Sequence, residues 1–170
     1  MGLEPVWKNH ALVLVSDAGG LFTNESDGGL LWRVPRYRAI QERQARGLRK
    51  RWLIASFSAG TLEGAYGGVG SAPAHYGESG AGYSKELARE VIAEIRTDLD
   101  AFSDAEAAVL ENHGYLLAGA ALRRHVPALV PEGLAPAQAP HPDWIPPARS
   151  EDEIRRALRD SAKRKTFGRG

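Results

Sequence analysis

The stretch Ala11-Leu12-Val13-Leu14-Val15, running into Ser16-Asp17-Ala18-Gly19-Gly20, decides how the rest of the chain is read. Five apolar residues without alternation, closed by turn-forming residues, predict a strand buried on both faces that ends in a turn. Such a strand belongs inside a parallel sheet, with a neighbour on each side and helices on both faces. Working outward, Leu62 to Val69 is the one other candidate strand, weakened by glycines at 64, 67, 68 and 70. The sheet is therefore expected to be incomplete: part of a larger α/β domain, or a sheet finished by a partner.

The flanking segments read as helices. From Arg36 to Ala59 only Gly47 interrupts a helix-tolerant run, with Pro35 acceptable in the first turn and Gly60 placed to end it. After a turn-rich loop, Ser71 to Gly82, Ser84 is placed to cap a helix whose apolar positions Leu87, Val91, Ile92, Ile95, Leu99 and Phe102 recur at three-to-four spacing. Ser103 and Glu106 match a capping box, in which the serine accepts from a backbone N–H one turn ahead and the glutamate reaches back, opening a helix to about Arg124. Seven of the ten prolines fall between Pro127 and Pro147 among alanines, which predicts a linker over 127–149 and a domain ending near Val126. Ser150 and Glu153 form a second capping box, for a short helix through Leu158, followed by a basic tail from Lys163 to Arg169 expected to fray.

Composition bounds the function classes. With 170 residues, 43% of them hydrophobic and 25% charged, the chain has the make-up of one globular domain. A formal net charge of +1 argues against a globally basic nucleic-acid binder. The absence of cysteine removes disulfides, thiolate–zinc sites and thiol nucleophiles. The longest apolar run, Ala11 to Val15, falls far short of the roughly 20 residues of a membrane-spanning helix. The expected address is cytoplasmic or peripheral to a membrane.

Several segments, in order, resemble the patatin-like lipid acyl hydrolases of bacteria. They are Gly2 to Trp7, Leu12 to Gly19, Leu48 to Ile54, Gly64-Ala65-Tyr66, Gly114-Tyr115 and Leu122 to Val126, together spanning about residues 2–126. One departure is Gly67, where relatives often carry tryptophan. The resemblance implies the C-terminal portion of a three-layer α/β/α patatin-like domain and carboxylic ester hydrolysis in lipid metabolism. The family's chemistry uses a serine in a Gly-x-Ser-x-Gly elbow and an aspartate from Asp-Gly-Gly or Asp-Gly-Ala, with glycine-rich amides holding the oxyanion. In relatives both dyad members precede the segment that Gly2 to Trp7 resembles, so neither has a counterpart here, and no catalytic residue carries over. The chain alone is expected to be inactive, with Met1 either an internal methionine or the start of a remnant. The implied partners are the missing N-terminal part of the domain and a lipid substrate.

Local candidates carry weaker signals. Ser56-Phe57-Ser58-Ala59-Gly60 approximates an elbow with Ser58 as nucleophile, but its first glycine is a serine, and a helix ending at Gly60 explains the same residues without strain. Asp27-Gly28-Gly29 reproduces the family tripeptide but precedes Ser58, the reverse of the family order, and reads as a glycine turn. Asp17 stands at a strand end, where α/β ligand sites gather, or serves as a turn aspartate bonded to nearby amides. His113 shares an apolar stripe with Val109 and Leu116 and is expected to be packed and hydrogen-bonded. No histidine pair has zinc-site spacing on a helix, so neither a metal nor a cofactor site is predicted. The basic set Arg33, Arg36, Arg38, Arg43, Arg46, Arg49, Lys50 and Arg51 is opposed only by Glu42. It suits pairing with carboxylates of the missing part, or contact with an anionic membrane, while the absence of aromatic interleaving disfavours nucleic acid. A basic membrane-docking module and a self-sufficient hydrolase using Ser58 are the alternative functions.

Overall fold

The structure, a computed structural model, describes residues 3–19, 33–80, 82–95 and 101–159. It is a mixed α/β, helix-rich fold with a two-stranded parallel sheet. The elements, in order, are α1 (Leu3–Asn9), β1 (Leu12–Asp17), α2 (Arg33–Ser58), β2 (Glu63–Gly68), α3 (Lys85–Glu90), α4 (Asp104–His125) and α5 (Glu151–Leu158). Backbone bonds flank the strand pair at both ends, Glu63 N–H to the Ala11 carbonyl (3.2 Å) and Val69 N–H to the Asp17 carbonyl (2.9 Å). The residue offset is the same at both ends, as a parallel register requires. Contacts divide the chain into two units, residues 1–13 with 22–64, and residues 14–21 with 65–170.

In the first unit, Trp7 of α1 lies with its ring centroid 3.9 Å from that of Trp52 in α2. Val13, Leu53 and Leu62 are buried. Gly64 has φ of 152° and passes so close to the Val13 carbonyl that an added Cβ would overlap it, so only glycine fits there. α2 closes as the sequence predicts: Gly60, at φ of 68°, takes the left-handed conformation that follows a helix end.

In the second unit, Tyr83, Leu87, Ile92, Ile95, Val109, Ile154 and Leu158 form one core. The three caps form as the sequence predicts. Ser84 Oγ accepts from Leu87 N–H at 3.1 Å. Ser103 Oγ accepts from Glu106 N–H at 3.3 Å, while Glu106 accepts from Ser103 N–H at 2.6 Å. Ser150 and Glu153 make the same reciprocal pair. Each cap satisfies helix donors that would otherwise be orphaned, worth about 1 kcal/mol apiece.

Two expectations are corrected. β1 is not buried on both faces: Val13 is 3% exposed, but Leu14, which points to the opposite face, is 52% exposed because it lines an open cleft. The helix begun by Ser84 stops at Glu90; Val91 leaves helical geometry (φ −125°, ψ −57°), and a 3-10 turn, Ile92–Glu94, follows. That bend brings Ile92 and Ile95 into the same core as Leu87, which a straight helix carrying β-branched Val91 and Ile92 need not do. The far end of the proline-rich segment lies against α4. Asn112 of α4 donates to the His141 carbonyl (2.8 Å) and accepts from His141 N–H (2.7 Å), and Tyr83 Oη donates to the Trp144 carbonyl (2.8 Å). α5 is fixed likewise, through Glu151 bonded to both Ser84 N–H and Ser84 Oγ at 2.6 Å, and through fully buried Ile154. The basic tail from Lys163 to Arg169 lies outside the described residues.

Candidate functional site

Within the second unit, α4 faces β1 and β2 across an apolar cleft of about 460 Å³. That volume lies in the range of sites for small organic ligands, roughly 300–1,000 Å³. α4 supplies its wall at helical spacing, from Leu110 and His113 through Leu117 to Ala121 and Leu122. Small residues make the room. Ala118 and Ala121 keep the helix face low, and a Cβ added at Gly114 would meet nothing within 4 Å. Opposite, Leu14, Val15, Ala65, Gly67 and Val69 line the sheet side. The Leu14 side chain that a two-sided burial would have covered is thus part of this wall.

Gly67 carries a specific consequence. A Cβ placed on it would lie 3.5 Å from Leu117 Cδ2, an ordinary contact, and its φ is not in the left-handed region. A larger side chain is therefore sterically and conformationally tolerated at the backbone, but an indole would project toward Leu117 and fill the cleft.

Ser16, Asp17 and His113 are the polar residues of the lining, and the last two make the hydrogen bonds that shape it. Asp17, at the carboxyl end of β1, accepts from Tyr66 Oη at 2.7 Å and from Gly19 N–H at 3.0 Å. The turn-aspartate reading and the ligand-site position both apply to it, since it bonds a nearby amide and also lines the cleft. Burial, reinforced by the Asp17 carboxylate, pushes the Tyr66 phenol above its usual range, so this tyrosine stays protonated and donating. Tyr76 Oη in turn donates to the Tyr66 carbonyl at 2.7 Å, bracing the strand from the other side. These tyrosines lie far from Asp17 in sequence; Tyr66 belongs to the Gly64-Ala65-Tyr66 segment, but nothing in that segment marks it as the partner of Asp17.

His113 is 3% exposed, and its Nε2 lies 2.8 Å from the Val69 carbonyl. That distance assigns the Nε2–H tautomer, leaving Nδ1 as a buried nitrogen with no hydrogen-bond partner. Desolvation depresses its pKa below the ordinary 6.5, partly offset by the Val69 bond, so the ring is neutral. The packed, hydrogen-bonded histidine expected from the sequence is observed, with its additional place on the cleft wall.

The remaining candidates do not join this site. Ser58 is the exposed last residue of α2, preceded by helix rather than by the strand an elbow needs. Asp27-Gly28-Gly29 lies outside the described residues. Among the described residues no serine hydroxyl bonds Asp17, and no group of three or more His, Asp or Glu is arranged to hold a metal ion. The site is an apolar trough with a carboxylate held by two donors at one end. Comparison of the chain with protein-family models, with curated proteins and with solved structures finds no match in any of the three.

Proposed function

We propose that this chain is part of a lipid acyl hydrolase similar to the patatin-like family, and that its cleft forms a wall for the substrate's acyl chain. The observation that carries this reading is the apolar trough at the carboxyl ends of two parallel strands, where open α/β sheets gather their ligands. An acyl chain suits it because the lining offers dispersion contacts along α4. The three-layer α/β/α arrangement belongs to the same proposal: β1 would take a further strand on its open edge. Ester cleavage needs a nucleophile and a base, and a family-type dyad has no counterpart among these 170 residues. Acyl transfer is therefore assigned to the longer protein, and binding to this chain.

The test is displacement of a fluorescent fatty acid from the purified chain, beside a Gly67→Trp variant whose indole fills the trough. Alkyl-chain carboxylates should compete with the probe, and the variant should bind at least about tenfold more weakly with an unchanged circular dichroism spectrum. Equal affinity of variant and parent, or no competition by alkyl chains, would sink the proposal.

A further inference from the structure

The first unit holds a second feature, unrelated to the cleft. α2 carries eight cations against one carboxylate, Glu42, over its 26 residues. Among its described side chains the buried ones, Leu53 and Ser56, both fall in the last two turns, and none from Tyr37 to Trp52 is buried. Large apolar side chains nevertheless stand along it: Tyr37 is 66% exposed, Leu48 65%, Trp52 43% and Ile40 41%. Tyr37 and Leu48 are eleven positions apart, about three full turns, so they lie on one line of the helix; Ile40 and Trp52 follow each of them by about one turn. The stripe runs about 22 Å at 1.5 Å per residue. Arg51 lies beside it and Arg49 on its flank, both exposed, while Arg46 falls on the opposite side of the helix.

We propose that this face of α2 docks on the surface of an anionic lipid bilayer. An interfacial helix needs apolar side chains to enter the acyl boundary and cations to meet headgroup phosphates, and α2 presents both. Tyr37 and Trp52 are the side chains that favour a boundary with one apolar side and one wet side. Charge selects among occupants. A second copy of α2 would bring a like-charged helix against this one. A nucleic acid would engage the arginines but leave Leu48 and Ile40 against phosphate and water. An anionic bilayer satisfies the cations and the apolar stripe together. The inference rests on α2 alone and does not depend on the acyl-hydrolase reading.

The experiment is co-sedimentation of the full chain with vesicles of phosphatidylcholine alone and of phosphatidylcholine mixed with phosphatidylserine, with tryptophan emission as a second readout. Binding is expected only to the anionic vesicles and should fade as salt rises to about 0.5 M, where screening shortens the reach of the charges. Replacing Arg49 and Arg51 together by Gln should weaken partitioning by on the order of 25-fold, since each cation near such a surface contributes roughly fivefold. Leu48→Glu tests the apolar part; the position is so exposed that the fold should be unaffected, and binding should be lost with helical circular dichroism intact. Equal binding to neutral vesicles, retention by Leu48→Glu, equal affinity for duplex DNA, or self-association abolished by Leu48→Glu would each overturn the proposal.

Discussion

The two long helices of this protein are built from similarly helix-tolerant sequence and end up in opposite circumstances. α4 buries nine of its 22 residues, including Glu106, Asn112 and His113, whereas among the described side chains of α2 only Leu53 and Ser56 are buried and five large apolar ones are exposed. Propensity brings each to a helix; what each helix is for depends on what surrounds it. α4 is scaffold and cleft wall at once. Its polar residues are internal because partners from distant segments reach them: Tyr83, His141 and the Val69 carbonyl. Of the described side chains of α2 from Tyr37 to Trp52 none is buried, so those residues face outward.

Substitutions should reproduce this asymmetry. The largest expected effect is at Ile154, fully buried beside Val109 and Leu87: Ile154→Ala should destabilise the second unit by about 2–5 kcal/mol in urea unfolding. A loss below about 1 kcal/mol would mean that α5 is not part of the α4 core.

A smaller effect should come from pH. The folded pKa of His113 lies below the ordinary 6.5, so the unfolded chain binds the proton first as pH falls. Its contribution to stability is intact above about pH 6.5 and declines from there toward the depressed folded pKa, at up to about 1.4 kcal/mol per pH unit. Urea titrations at pH 7.5 and 5.5 on the parent and on His113→Gln measure it. The variant should show the shallower loss, and equal slopes would remove His113 as the cause.

The smallest effect is expected on α2. Leu48→Ala should change stability by no more than about 0.5 kcal/mol, because the side chain is mostly solvated already. A loss of about 2 kcal/mol or more would show α2 to be covered in solution and would break the contrast with α4.

Parts of the candidate site were legible from local signals. Asp17 stood out because an apolar run ended on a turn residue, and His113 because it fell on an apolar helical stripe. Their partners were not legible: Tyr66 reaches Asp17 across 49 positions, and Val69 reaches His113 across 44. Nor did the cleft itself have a signature. Gly67, Gly114 and Ala118 are small residues of no periodic pattern until β1, β2 and α4 are brought together.

By itself the sequence determined the features whose causes lie within one turn of chain: the Ser84, Ser103 and Ser150 caps, the end of α2 at Gly60, and the existence of both strands. Tertiary structure alone decided where the helix after Ser84 breaks, why a proline-rich stretch lies against α4, and which face of β1 stays uncovered. A cap is a hydrogen bond between residues three apart, so its energy is written locally. Burial and docking depend on groups brought together from distant parts of the chain, such as Asn112 with His141 and Ser84 with Glu151, and no local window contains both members of such a pair.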